Sequence, residues 1–146
     1  MTETHDIDEL IADFAFLEDW EDRYMHVIEL GKGLAPLSDA ERNANTKVKG
    51  CVSQVWLVTE VSDEQPPRLF FRGDSDAHIV KGLVAIVLMI FSGRTAQEIL
   101  EIDARDILAR LGLQEHLSPQ RANGLMAMIE RIKSEAERIQ QTRAGV

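Results

Sequence analysis

The sequence contains a single cysteine, Cys51, in 146 residues. One thiol excludes an internal disulfide, and it excludes any zinc or iron–sulfur site that needs several thiolates from this chain. Long apolar runs are also missing: the longest, Leu83 to Phe91, is far shorter than the ~20 residues of a membrane span. The acidic N-terminal stretch lacks the basic start of a secretory signal. We therefore expect a cytoplasmic protein with no membrane partner.

Basic residues are scarce, with 16 Lys and Arg against 25 Asp and Glu, and the net charge is −9. Duplex nucleic acids and anionic membranes are bound by basic faces, so neither is expected as a partner. The acidic surface fits a basic protein partner or serves solubility alone. A hydrophobic fraction of 45% is typical of a globular protein, and the length favours one domain over residues 1–146.

Helical periodicity marks both ends of the chain. Asp6 with Glu9 resembles a capping box before a first helix, and a second helix, in "EDWEDRYMHVIELG", is predicted to stop at Gly31. Ser118 followed by Pro119 predicts the start of a long last helix, because serine caps a helix N-terminus and proline suits its first position.

The middle of the chain predicts a β-hairpin. "VSQVWLVTEV" (Val52 to Val61) and "RLFFRG" (Arg68 to Gly73) are strand candidates, and the turn-forming cluster "SDEQPP" separates them. Helices come before and after this hairpin. The order predicts an α+β fold with a small antiparallel sheet covered by several helices.

A central helix is predicted directly after the hairpin, where "HIVKGLVAIVLMIF" is apolar almost all round. Asp74 or Ser75 is expected to cap it, Asp76 suits its positive end, and Gly93 is expected to end it. Two short helices are then predicted, each from a pair of start signals: Thr95 with Glu98, and Asp103 with Asp106.

Cys51 lies between Gly50 and the first predicted strand. A lone cysteine is commonly an inert core residue, and that interpretation is one alternative. Three features favour a reactive thiol instead. Gly50 frees the backbone to turn, Lys47 and Lys49 place positive charge near a group that reacts as thiolate, and loop ends commonly present reactive groups.

A single thiol limits the chemistry that is open to this chain. A cysteine hydrolase needs a base beside its nucleophile, and a thiol–disulfide oxidoreductase usually keeps a resolving cysteine. No local signature marks any of the four histidines as that base: His5, His26, His78 and His116. A carrier needs neither group, because its thiolate takes a sulfur from one partner and passes it to the next.

Four blocks of the sequence resemble the SufE/CsdE family of iron–sulfur biogenesis proteins. They are "DWEDRYMHVIELGKGLAPL", "GCVSQVWLV", "GDSDAHIVKGLVAIVL" and "HLSPQRANGLMAMIERIK". The blocks stand in family order and span about Phe14 to Lys133, so one SufE-like domain is expected. The resemblance implies an α+β fold related to that of the iron–sulfur scaffold proteins.

The resemblance also implies a function. Such proteins accept sulfur from a PLP-dependent cysteine desulfurase as a persulfide, stimulate that enzyme, and pass the sulfur to an iron–sulfur scaffold or another acceptor. Carried over by position, the acceptor is Cys51. The chain would then be a sulfur-transfer partner rather than a stand-alone enzyme, with no cofactor or metal of its own, and we expect a monomer or weak dimer. Val52 stands where the family commonly has a polar residue.

Five further residues are candidates for contacts to the cysteine loop or to the partner: Gly50, Ser53, Gln54, Asp74 and Arg121. We also expect the thiol to rest partly buried in a shallow apolar pocket and to swing out on docking. Two other functions stay open. The chain could be an adaptor that activates a partner with a structural cysteine, or a scaffold that assembles a cluster with ligands from other chains.

Overall fold

The computed structural model describes residues 6–50 and 53–144, and within them the chain forms seven helices and a three-stranded sheet. The helices are α1 (Asp6–Phe16), α2 (Trp20–Lys32), α3 (His78–Phe91), α4 (Ala96–Glu101), α5 (Ala104–Leu111), α6 (Leu113–His116) and α7 (Pro119–Ala144). The strands are β1 (Val55–Val61), β2 (Arg68–Ser75) and β3 (Arg94–Thr95). None of the helices in these ranges has the length and apolar character needed to cross a membrane.

The sheet is antiparallel with strand order β1-β2-β3, so the predicted α+β class and hairpin are confirmed. Its register runs from Val55 opposite Ser75 to Val61 opposite Leu69. The first strand begins at Val55, and the second continues two residues beyond Gly73. The short strand β3, which the sequence did not predict, pairs with the other edge of β2.

The central helix α3 covers one face of the sheet and forms the middle of the core. Ten of its fourteen residues are buried, as its apolar character predicted. Its approach to β2 is close, because a Cβ atom on Gly73 would lie 2.6 Å from Cγ1 of Val84. The long helix α7 adds a stripe of buried side chains to the same core: Leu125, Met128, Ile129, Ile132 and Ala136.

The predicted end of the second helix at Gly31 is wrong. Helix α2 continues to Lys32, and Gly33 is its C-cap. Gly31 lies where α2 crosses α3, and a Cβ atom there would stand 2.6 Å from the backbone nitrogen of Gly82. Glycine is therefore needed at this position for helix–helix packing, which a local capping rule does not detect.

The predicted caps of α3 are also wrong. The helix begins at His78, and its N-cap residue Ala77 makes no side-chain capping bond. Asp74 and Ser75 extend β2 instead, opposite Trp56 and Val55 of β1. Strand pairing thus uses two residues that locally resemble helix caps.

Three other predicted helix starts are confirmed. Thr95 and Glu98 form a reciprocal capping box at α4, and the side chain of Asp103 accepts the N–H of Asp106 at α5. At α7, Ser118 Oγ accepts the N–H of Arg121 at 3.3 Å. These three starts depend on contacts within a single turn, so the local sequence is enough to predict them.

Candidate functional site

The site is built around a six-residue loop between two paired backbone segments. The N–H of Val48 donates to the carbonyl of Val55 at 2.8 Å, and the N–H of Leu57 donates to the carbonyl of Thr46 at 2.8 Å. These bonds close a loop of residues 49–54, named the Cys51 loop below; residues 45–50 are called its first limb and residues 53–54 its second limb. Cys51 and Val52 themselves lie outside the described residues. The predicted partial burial of the thiol therefore stays a prediction.

Gly50 brings the first limb of this loop against α7. Its φ of +93° is a backbone conformation that residues with a side chain rarely adopt. A Cβ atom on Gly50 would lie 3.3 Å from the Cβ of Ala127. The glycine therefore supplies both the turn and the close approach to the helix.

Ser75, the last residue of β2, and Asp76 directly after it hold the second limb. Oδ1 of Asp76 accepts the N–H of Gln54 at 3.1 Å, and Oγ of Ser75 donates to the carbonyl of Gln54 at 2.7 Å. The N–H of Asp76 also donates to that carbonyl, at 3.3 Å. The backbone of Gln54 is thus bonded on both sides, and Asp76 serves the loop rather than the end of α3.

Ser53 and Arg121 line the same cleft, of about 400 Å³, between the Cys51 loop, α3 and the start of α7. Two of the predicted site residues are thereby brought together. The remaining lining residues give the cleft an apolar floor and a polar rim: Val80, Leu83, Ser118, Gln120, Gly124, Leu125 and Met128. Ser53, which lines this cleft, is two residues after Cys51 in the sequence.

Arg121 is exposed at the rim of the cleft. Its Nη1 donates to the hydroxyl of Tyr24 on α2 at 3.5 Å, a long hydrogen bond. Its guanidinium therefore lies beside α2, where a docking partner could still reach it. Sequence analysis proposed a contact of Arg121 to the Cys51 loop or to the partner, and this contact stays a prediction.

Asp74 is buried and does not line the cleft with Ser53. Its carboxylate lies 3.4 Å from Nη1 of Arg42 and 3.5 Å from Nζ of Lys81, and it accepts the N–H of Leu37 at 3.3 Å. Burial alone would raise the pKa of Asp74, but the N–H groups of Ser75 and Leu37 and the charge of Lys81 outweigh it and lower that pKa. Asp74 fastens the segment before the Cys51 loop to β2 and α3.

Lys47 and Lys49 are both exposed, and they line a second groove between the first limb and α7. Glu130 and Arg131 line the same groove. Glu130 and Arg131 add one charge of each sign, so the two lysines still leave this groove with an excess of positive charge.

Arg131 is a residue that sequence analysis missed. Its Nη2 donates to the carbonyl of Asn45 at 2.7 Å, and its Nη1 donates to the carbonyl of Lys47 at 3.2 Å. These carbonyls lie 86 and 84 residues earlier in the chain. No local pattern distinguishes this arginine from the other charged residues of α7.

Two histidine side chains pack against aromatic rings. His26 lies edge-on to Phe14 with ring centroids 5.7 Å apart, and His116 is stacked on Trp20 at 4.4 Å. Within residues 6–50 and 53–144, no group of three or more potential metal ligands comes together.

Comparisons with known proteins show one family and agree with this fold. The family model described as "SufE: Fe-S metabolism associated domain" matches residues 8–136. An uncharacterised SufE-like protein of Rhizobium meliloti (strain 1021) is 62% identical over 132 residues, which cover 90% of this chain and 94% of that protein. Another, from Rhizobium etli (strain CFN 42), is 56% identical over 132 residues, covering 90% and 89%.

A solved structure shows the same fold. The solution structure of a hypothetical protein from Thermus thermophilus aligns with a TM-score of 0.73 at 17% identity, over 94% of this chain and 97% of that one. Because the family model spans most of the sequence and both relatives are SufE-like, the chain belongs to the SufE family, whose domain is associated with Fe–S metabolism.

Proposed function

We propose that Cys51 accepts sulfur from the persulfide of a PLP-dependent cysteine desulfurase and passes it to an iron–sulfur scaffold or another acceptor. The observation that carries this proposal is the position of the only cysteine. In the sequence it falls between two limbs that are both hydrogen-bonded, Ser53 of the second limb lines a cleft with an apolar floor, and the chain belongs to the SufE family. The PLP belongs to the partner, and the chain needs no cofactor for this step.

The transfer is a thiolate displacement. The Cys51 thiolate attacks the terminal sulfur of the desulfurase persulfide, a new S–S bond forms, and the old one breaks. The desulfurase cysteine leaves as a thiolate and is free for another turnover, which is how the carrier would stimulate that enzyme. No net oxidation occurs, because the sulfane sulfur moves between two thiols as in thiol–disulfide exchange.

The hydrogen-bonded limbs of the Cys51 loop and the neighbouring cleft would suit a persulfide intermediate. A persulfide is easily reduced or oxidised, so it benefits from shelter between its two partners. The cleft beside Ser53 offers apolar walls from Val80, Leu83 and Met128. Arg121 at its rim offers a charge that a partner can recognise.

Intact-mass measurement after mixing the protein with a cysteine desulfurase, PLP and cysteine tests this proposal. We expect an increment of about one sulfur atom, ~32 Da, which dithiothreitol removes and which Cys51→Ser lacks. Desulfurase turnover should rise with the parent protein and not with Cys51→Ser. A Cys51→Ser variant that stimulates as well as the parent, with no mass increment on the parent, would instead support the adaptor function.

A further inference from the structure

We propose that Arg131 is a positioning residue for sulfur transfer, because it fastens the limb that leads to Cys51 onto α7. The inference rests on the proposed function, since it concerns how the same thiol is presented to the desulfurase. Its physical basis is a contact between α7 and a segment that lies more than 80 residues earlier in the sequence.

The three guanidinium nitrogens of Arg131 donate to three different acceptors. Nη2 and Nη1 donate to the carbonyls of Asn45 and Lys47, while Nε donates to Oε2 of Glu135 at 3.3 Å. Glu135, one turn further along α7, thereby helps to orient the guanidinium group toward the limb. A planar guanidinium can make all three bonds at once, whereas a lysine ammonium on a flexible stem cannot reproduce this fixed geometry.

The limb follows one stripe of α7. Arg131 contacts Asn45 and Lys47, Ala127 faces Gly50, and Gly124 lines the cleft with Ser53. Positions 131, 127 and 124 are spaced by four and three residues, so they lie on the same face of the helix. From Asn45 to Gly50 the limb therefore follows this face from residue 131 toward the N-terminus of α7, and Arg131 fixes the end where the limb begins.

This arrangement predicts a difference between a small reagent and a protein partner. Loosening the limb leaves the Cys51 thiol chemically intact, so a small disulfide can still reach it from many loop conformations. The desulfurase must meet the thiol in one orientation, and a loose limb adds an ordering cost to that step. Loss of Arg131 should therefore slow sulfur transfer without slowing the reaction with the small disulfide.

Three variants separate this role from a general effect of charge or stability: Arg131→Ala, Arg131→Lys and the control Arg110→Ala. Arg110 is an exposed arginine on α5, where it pairs with Asp106 at 3.1 Å. For each variant we would measure single-turnover sulfur transfer from the desulfurase, the rate of Cys51 with a small aromatic disulfide, and amide hydrogen exchange at Val48 and Leu57.

We expect sulfur transfer to Arg131→Ala to be about 10-fold slower, as the loss of hydrogen bonds from a charged donor allows. Its reaction with the disulfide should be at least as fast as that of the parent, and the amides of Val48 and Leu57 should exchange faster. Arg131→Lys should fall between the two, and Arg110→Ala should match the parent. If Arg131→Ala does not fold, Arg131→Lys carries the same comparison.

Parent-like sulfur transfer by Arg131→Ala, or an equal loss in Arg110→Ala, would overturn the proposal. So would an equal slowing of the small disulfide, because the thiol itself would then be altered. Failure of the proposed function is distinguishable: the parent would take no sulfur, while exchange at Val48 would still report whether Arg131 holds the limb.

Discussion

A Cβ atom on Gly50 would stand 3.3 Å from the Cβ of Ala127, so the residue before Cys51 lies directly against α7. This distance is shorter than an ordinary van der Waals contact between such atoms, and the φ of Gly50 is +93°. The loop that carries the only thiol is thus packed on the long helix through a residue without a side chain. Its position follows from tertiary contacts as well as from its own turn.

The first prediction concerns Gly50→Ala. The positive φ strains any L-residue, and the new methyl group must displace Ala127, so we expect the free energy of unfolding to fall by about 1–2 kcal/mol. Sulfur transfer to Cys51 should also slow, because the limb must move away from α7. Urea denaturation measures the first effect, and the intact-mass assay measures the second.

Gly33→Ala is the matched control for this variant. Gly33 has a φ of −82°, and its nearest neighbour to a new Cβ is the carbonyl oxygen of Leu30 at 3.4 Å. Its free energy of unfolding should change by less than about 0.5 kcal/mol. Equal stability and equal transfer in Gly50→Ala would show that the loop does not need a positive φ.

The second prediction concerns the buried carboxylate of Asp74. Asp74→Asn removes the charge that Arg42 and Lys81 face, so we expect the free energy of unfolding at pH 7 to fall by about 2 kcal/mol. The native pKa of Asp74 is lowered, so its contribution is present above the ordinary value of 3.8 and is lost as the pH falls through the native pKa. The parent and the variant should therefore converge in acid.

Urea denaturation of both proteins at pH 7 and at successively lower pH values below 3.8 measures this convergence. Asp39→Asn is the control, because Asp39 pairs with the same Arg42 at 2.6 Å but its side chain is fully exposed. Exposed ion pairs contribute little, so this variant should lie within about 0.5 kcal/mol of the parent at each pH. A gap between parent and Asp74→Asn that persists in acid would assign the effect to packing rather than to charge.

The parts of the fold that the sequence predicts well depend on neighbours along the chain. Thr95 with Glu98 marks a helix start because the two groups bond within one turn. The β-branched run around Val58 predicts a strand for a similar reason, since its side chains suit a pleated surface. Resemblance to a family, rather than periodicity, assigned the role of Cys51.

The errors of the sequence analysis arise where distant contacts decide the structure. Gly31 looked like a helix end, but its lack of a side chain serves the contact with Gly82 on α3. Asp74 looked like a cap, but strand pairing with Trp56 takes it into β2. Arg131 gave no signal at all, because its acceptor carbonyls lie more than half the chain away.

The third prediction tests the contact of Gly31 with α3. Gly31→Ala would place a Cβ atom 2.6 Å from the nitrogen of Gly82, and both sides of this contact are helix backbone. The helices must separate, so we expect a loss of about 3 kcal/mol of unfolding free energy and a Tm about 10 °C lower. Thermal denaturation compares it with Gly33→Ala, two residues later; equal Tm values would show that the crossing can widen without cost.

The fourth prediction concerns Arg121, at the rim of the cleft. A cation in the first turn of α7 is disfavoured by the helix dipole. Arg121→Glu should therefore leave the free energy of unfolding unchanged or raise it by up to about 1 kcal/mol. Sulfur transfer should move in the opposite direction. We expect Arg121→Glu to slow transfer from the desulfurase about 10-fold at low salt, and less as salt screens the new repulsion.

Two variants show whether charge is the cause. Arg121→Gln removes the charge without reversing it, so its transfer rate should lie between those of the parent and Arg121→Glu. Tyr24→Phe removes the 3.5 Å hydrogen bond from Arg121 and leaves the charge, so it should transfer sulfur at nearly the parent rate. Stopped-flow or quenched mass measurements at two ionic strengths would give all four rates. If Arg121→Glu transfers sulfur as fast as the parent at low salt, the desulfurase does not approach this rim of the cleft.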